Sequence, residues 1–309
     1  MPARLTVLAR SFHSTIYPFF RPSDLQVKIV EEIETAVGFS VVDVAPLSGG
    51  CVGQVYRVNL TDGSRLVAKV DNNEHPQLDI EGFMLRFLSE NSELPVPDIW
   101  HSTPQLLIMS FLPGDSHFSQ PSQMHAAELL ADLHQIKSPA FGFEKNTLIG
   151  GLHQPNHWTD SWITFFREHR LLYMGRECVR AGRLSAQFLT RLERFSSQLD
   201  RWLLEPRYPA LIHGDVWTTN VLAEGGRVTG FIDPAIYFAS PEIELSFTTL
   251  FGTFGDAFFA RYREINPILP GFFEERRDIY NLYPLLVHVR LFGGSYVHSV
   301  DGILRNFGY

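Results

Sequence analysis

An aspartate, an asparagine five positions later and a second aspartate beyond a short hairpin constrain this chain more than any other feature. Asp215 stands in His213-Gly214-Asp215-Val216-Trp217-Thr218-Thr219-Asn220, directly after the apolar run Ala210-Leu211-Ile212. Two short apolar strands, 221–223 and 228–232, are predicted around the turn Glu224-Gly225-Gly226-Arg227, so the chain doubles back and returns Asp233 to the same centre. Singly, Asp and Asn are common turn formers. Together they suit phosphoryl transfer, which needs held phosphates, a positioned divalent cation and a carboxylate beside the acceptor hydroxyl. In that reading Asp215 accepts or orients the hydroxyl proton. Asn220 and Asp233 offer oxygen to magnesium, a hard cation.

The N-terminal third supplies what such a centre lacks. Leu25, Ile29, Ile33 and Val37 recur four apart, which predicts a helix over about 23–37. Strands are expected at 41–47, 54–60 and 65–70, the last two joined by the hairpin turn Thr61-Asp62-Gly63-Ser64, giving an antiparallel meander. Between the first two lies Ser48-Gly49-Gly50-Cys51-Val52-Gly53, whose backbone N–H groups could lie over phosphates. A glycine turn between strands more often merely closes a hairpin, and this one is not a Walker A loop. Lys69 is one of only four lysines and sits in the strand Leu66-Val67-Ala68-Lys69-Val70. Alternation puts it on the Val67 face, and burying an ammonium is costly unless it is paired. A helix opening at Pro76 and running through Leu88 offers Glu81 as partner, with Glu74 as second choice.

A strand pair follows at 99–101 and 106–109, then the break Phe111-Leu112-Pro113-Gly114, suited to connect two lobes. From His125 onward the pattern is mainly helical, except for 211–238. The fold class is therefore α+β: a small antiparallel β N-lobe and a larger, mainly helical C-lobe. The expected division is an N-terminal extension at 1–23, an N-lobe at 24–112 and a C-lobe at 113–309.

A formal net charge of −8 argues against nucleic acid or an anionic membrane as partner. No apolar stretch approaches the about 20 residues needed to span a bilayer. Cys51 and Cys178 are too few for a disulfide framework. His153 and His157 sit four apart, but Pro155 between them spoils a helical metal pair. Arg4, Arg10 and Arg21, with no acid before Asp24, resemble a transit peptide, although a ragged extension and a cytoplasmic protein are the default expectation.

With these residues assembled, the chain resembles the aminoglycoside phosphotransferase and choline kinase group of protein-kinase-like folds. His213-Gly214-Asp215 stands where protein kinases have His-Arg-Asp, and Ile232-Asp233-Pro234 where they have Asp-Phe-Gly. Within that group it is similar to the fructosamine/ketosamine-3-kinase family over nearly the whole chain after residue 24. The likeness rests on Trp217 after the aspartate and on Leu133-His134, Phe141-Gly142-Phe143, Asn146, Gly150, Gln154, Asn156, Trp158 and Trp162-Ile163-Thr164-Phe165-Phe166. It continues through Ala235, Glu242-Ile243-Glu244-Leu245, Tyr280-Asn281-Leu282-Tyr283 and Leu291-Phe292-Gly293-Gly294.

The resemblance implies an ATP- and Mg2+-dependent kinase that phosphorylates the 3-hydroxyl of a small-molecule or protein-bound ketosamine; the unstable product then releases its amine. It implies Asp215 as base, Asn220 and Asp233 as magnesium ligands, and Lys69 with Glu81 as the ATP-positioning pair. Gly49, Gly50, Met109 and Phe111 would border the nucleotide, and Trp217 would wall the sugar unless it is a core tryptophan. Thr218-Thr219 departs from the family's Ser-Gly or Ala-Gly, which puts the local backbone in question. Members with a cysteine at the Cys51 position are linked with redox control, so the expected state is a monomer or a Cys51-linked homodimer. Another small-molecule kinase of the same fold, or a non-catalytic nucleotide-binding relative, is the alternative; the intact set Lys69, Asp215, Asn220 and Asp233 argues against the latter.

Overall fold

The computed structural model describes residues 24–47 and 53–309. Helix α1 (Asp24–Val37) turns Ile29 and Ile33 onto a sheet, where both are buried against Val58, Leu66, Ala68 and Ile108. The sheet comprises β1 (Val41–Pro46), β2 (Gln54–Leu60), β3 (Arg65–Val70), β4 (Ile99–Ser102) and β5 (Leu106–Ser110). All neighbours are antiparallel, in the order β1-β2-β3-β5-β4, so the expected meander forms one side. The hairpin turn before β3 behaves as its residues require: Ser64 N–H donates to Asp62 Oδ1 at 2.9 Å and Gly63 adopts a left-handed φ of 87°. β3 is the central strand, and Lys69 lies between Val55 of β2 and Leu107 of β5.

Helix α2 (Leu78–Asn91) starts two residues after Pro76 rather than at it. The Leu78 N–H is taken by Pro104 O at 3.0 Å, which ties the incoming chain to the β4–β5 hairpin before the helix begins. Met84 and Leu88 of α2 pack into the large C-terminal core and not into the sheet's own core.

That larger lobe contains α3 (Gln120–Leu133), capped by Ser119 Oγ, and the hairpin β6 (Thr147–Ile149) and β7 (Leu152–Gln154). Gly150 and Gly151 form the two-residue hairpin turn with φ of 54° and 78°, the backbone a right-twisted hairpin requires. α4 (Trp162–Phe165) runs through π-helical residues 166–172 into α5 (Tyr173–Arg180), followed by α6 (Ala186–Ser196). β8 (Ala210–Ile212) leads to the hairpin β9 (Val221–Glu224) and β10 (Arg227–Phe231), and β11 (Tyr237–Ala239) pairs back on β8. α7 (Pro241–Leu250), α8 (Asp256–Ile265), α9 (Arg277–Phe292) and α10 (Ser295–Asn306) complete the chain. This is the two-lobed protein-kinase-like fold. Since Ile33 is fully buried between α1 and the sheet, Ile33→Ala should cost about 2–4 kcal/mol of stability, read as a lower midpoint in urea unfolding.

Candidate active site

A strand, a helix and the segment after β10 converge on one ammonium group. Lys69 is 6% exposed; its Nζ donates to Glu81 Oε1 at 2.6 Å and contacts Asp233 Oδ1. Glu81, in the first turn of α2, is therefore the partner, while Glu74 is exposed. Burial alone would depress the Lys69 ammonium, but the charges of Asp233 and Glu81 outweigh it and the net direction is upward. Burial raises Glu81 above the ordinary carboxylate range, with Lys69 opposing that shift.

Asp233 is the one non-glycine with positive φ among the described residues, at 54°. Such a conformation costs on the order of 1 kcal/mol for an L-residue, and flanking hydrogen bonds hold it. Ile232 N–H donates to Asn220 O at 3.0 Å, and Ala235 N–H to His213 O at 2.7 Å. These two bonds lace the segment after β10 to the loop that carries Asp215. Asp215 Oδ2 accepts from Asn220 Nδ2 at 2.8 Å, as does its backbone oxygen at 3.0 Å. Burial and the charge of Asp233 push the Asp215 carboxyl well above its usual range, opposed by the Asn220 hydrogen bond. Asn220 spends its amide N–H on Asp215, so its Oδ1 remains an acceptor, as does the second oxygen of Asp233. Among the described residues no group of three His, Cys, Asp or Glu forms a cation cage. This all-oxygen pair instead suits a cation that completes its shell with water and phosphate, the habit of magnesium.

Gly214 takes φ 84°, and a Cβ there would lie 2.1 Å from Ala235 O. Only glycine fits between His213 and Asp215. The Gly214 N–H donates to Glu244 Oε1 at 2.7 Å, and Glu244 Oε2 meets His134 Nε2 at 2.8 Å. His134 Nδ1 in turn meets the Tyr262 hydroxyl at 2.6 Å. With Nε2–H donating to the carboxylate and the tyrosine donating to Nδ1, all four groups are satisfied. Helices α3, α7 and α8 thus anchor the loop that carries Asp215 through one buried chain. Sequence reading included Glu244 and His134 only as family-like residues. The physical signal was there: an acid and an imidazole at apolar-helix positions need partners.

A second buried network supports the Asp233 segment from the other side. Gln154 Nε2 donates to Ala235 O at 3.1 Å and Thr147 Oγ1 at 2.8 Å, and the Tyr283 hydroxyl donates to Gln154 Oε1 at 2.7 Å. Asn156 joins through Thr147, and fully buried Arg170 donates to Asn156 Oδ1 at 2.6 Å with its guanidinium 3.8 Å from the Tyr237 ring centre. Trp162 is a core residue whose Nε1–H donates to the Tyr280 hydroxyl at 2.9 Å. His213 is buried, its Nε2 has no partner among the described residues, and burial pushes it down to about 4.

Lys69, Asp215, Asn220 and Asp233 all line a cleft of about 460 Å³. Leu148, Leu152, Trp217 and Leu291 of the larger lobe line it too, together with Asp71, Asn73, His75 and Gln77 of the β3–α2 connection. Trp217 is not a core tryptophan: its ring packs on Phe251 with centroids 5.3 Å apart, but the residue is only half-buried and borders the cleft. Thr218 and Thr219 form a 3-10 turn without positive φ, so no glycine is needed there. Met109 and Phe111 do not line this cleft; Met109 is buried in β5 opposite Val67 and Ile99. Gly49, Gly50 and Cys51 lie outside the described residues. Gly53, just after them, has φ 71° and would place a Cβ 2.4 Å from Val70 O.

The model of the family described as fructosamine kinase matches residues 25–307. The chain belongs to the fructosamine kinase family. It is 34% identical to a probable ketoamine kinase of Synechocystis over 291 residues, covering 90% of this chain and 95% of that protein. A chloroplastic protein-ribulosamine 3-kinase of rice is 29% identical, over 86% of this chain and 79% of its own. A Thermobifida fusca crystal structure assigned as a fructosamine-3-kinase superposes with a TM-score of 0.80 at 28% identity, covering 90% of this chain and 97% of that one. An aminoglycoside phosphotransferase at 17% identity and TM-score 0.63 shares the fold.

If Glu244 holds the loop of this fructosamine kinase family member through Gly214, Glu244→Gln should leave nucleotide affinity near wild type. It should lower kcat by about 10- to 100-fold, the equivalent of one buried charge-assisted hydrogen bond. Steady-state kinetics with a melting curve for each variant separate the loss from unfolding.

Proposed function

We propose that this protein is an ATP-dependent kinase that phosphorylates the 3-hydroxyl of ketosamines, sugar adducts of amines formed by glycation. One observation carries the reading: in a chain of the fructosamine kinase family, Lys69, Glu81, Asp215, Asn220 and Asp233 converge on a cleft that Trp217 borders. In this proposal residues 24–112 hold ATP and residues 113–309 carry the base and the acceptor. Lys69, steadied by Glu81, turns its ammonium to the phosphates. Asn220 Oδ1, which also accepts from Thr219 Oγ1 at 3.4 Å, and the second oxygen of Asp233 would hold magnesium, which would neutralise phosphate charge. Gly49 and Gly50, outside the described residues, are assigned to the phosphates, whereas Met109 and Phe111, off the described cleft, are given no part in holding the nucleotide.

Asp215 takes the proton of the acceptor hydroxyl as that oxygen bonds to the γ-phosphorus and ADP departs. Its elevated proton affinity suits a base that must hold this proton through the transfer. Asn220 aims the carboxylate through the 2.8 Å bond from Nδ2, and the Trp217 face packs against the sugar's C–H surface. The 3-phosphate then breaks down to release the amine, so the net activity is deglycation.

Asp215→Ala should lower turnover by at least about 100-fold while ATP binding measured by calorimetry stays close to wild type. Wild-type ATP consumption should rise with fructosamine, ribulosamine or erythrulosamine acceptors and stay at background with choline or an aminoglycoside. Retained turnover in the variant would refute the mechanism.

The redox part of the proposal rests on Cys51. The other cysteine, Cys178, is fully buried, burial pushes its thiol up to about 12, and its Sγ–H donates to Leu286 O at 3.2 Å. It is therefore inert. Cys51 is left to link two chains reversibly, so oxidant should lower wild-type activity and produce a dimer on a non-reducing gel, and Cys51→Ala should show neither effect. No described helix is long and apolar enough to cross a membrane. The compartment proposed is the cytoplasm, with the transit reading of residues 1–23 as the alternative that the chloroplastic plant relatives bring.

A further inference from the structure

Four carboxylates line the cleft: Asp71, Glu81, Asp215 and Asp233. Three have engagements of their own. Glu81 and Asp233 share Lys69, and Asp215 is held by Asn220. Asp71 differs. It lies two residues beyond Lys69, and its N–H still donates to Gln105 O at 2.9 Å, so the strand's alternation carries one further step. Lys69 and Asp71 therefore share a face of the chain.

Asp71 is 3% exposed, and no cation pairs with it among the described residues. Its Oδ1 accepts from both the backbone N–H and the side-chain amide of Asn73, at 3.0 and 2.6 Å. Both of these bonds go to Oδ1, none runs from a described residue to Oδ2, and Asp71 lines the cleft. A carboxylate fixed in one orientation on the cleft wall, with one oxygen left over, is placed to meet a cation that enters the cleft.

A ketosamine brings that cation. Its secondary amine is an alkylammonium near neutral pH. The nitrogen sits on the carbon at one side of the carbonyl, and the phosphorylated hydroxyl on the carbon at the other side. Acceptor oxygen and ammonium are thus a few bonds apart, within the span of one cleft. The other carboxylates are committed to Lys69, to the divalent cation or to the proton transfer. We propose that Asp71 binds the ammonium nitrogen of the ketosamine through Oδ2 and selects amine-linked ketoses over neutral ones. Asn73 is its positioning residue, since both hydrogen bonds to Oδ1 come from it. The assignment rests on the ketosamine kinase reading above.

The test compares two acceptors on the full chain: an alkylamino ketose, and the ether isostere in which oxygen replaces the amine N–H. Wild type should prefer the amine by about 10- to 100-fold in kcat/KM, the worth of one hydrogen bond to a charged group. Asp71→Asn keeps an acceptor oxygen for Asn73. It should lose most of that preference, chiefly through KM for the amine, with turnover of the ether, ATP affinity and melting midpoint unchanged. A wild type that uses both acceptors equally well overturns the role of Asp71 and leaves the kinase reading standing, whether or not the variant folds. Equal loss on both acceptors overturns it as well, because that marks a role in ATP or cation binding. Turnover of neither acceptor overturns the underlying reading, and this proposal with it.

Discussion

The Lys69 ammonium is the point on which the site depends. It is a buried cation on the central strand of the sheet, tolerable only because Glu81 from α2 and Asp233 from the segment after β10 reach it. A strand, the helix that follows it and a segment 164 residues beyond the lysine must all be folded before that charge is compensated. A buried ion pair of this kind adds little net stability against an apolar alternative, because desolvation offsets the attraction. Its value is geometric: it fixes where strand, helix and the Asp233 segment stand relative to one another.

Around this centre the larger lobe works as a frame. Glu244 and His134 hold the loop before Asp215, while Gln154, Thr147 and Tyr283 hold the backbone just after Asp233. Both networks are buried and built from polar side chains whose hydrogen bonds are mostly closed within the protein. Such networks carry a high penalty for partial disruption, which makes them stiff. The left-handed Asp233 is sustained by this stiffness: the same backbone that would relax in a loop is bonded on both sides.

Much of this was readable from residue types alone. The meander, the Lys69–Glu81 pairing and the return of Asp233 to Asn220 follow from strand alternation, helix position and hairpin geometry, which are local rules. The family resemblance added the acceptor, and the family match over residues 25–307 agrees with it. What stayed hidden is tertiary. Spacing cannot say that Gln154 and Asn156 act as braces, or that Glu244 bonds the N–H beside Asp215. Nor could it tell that Asp233 touches Lys69 itself, since that contact spans most of the chain. The start of α2 slipped by two residues because a backbone bond to Pro104 outcompetes the local preference for proline at a helix start.

The seating of α2 has a mechanical consequence. The helix belongs by sequence to the smaller lobe, yet Met84 and Leu88 root it in the core of the larger one. The helix is also pressed on the sheet, where a Cβ at Gly82 would meet Ser102 and Leu107. It is thus wedged between the two lobes, and the Lys69–Glu81 bond joins the central strand to an element that both halves grip.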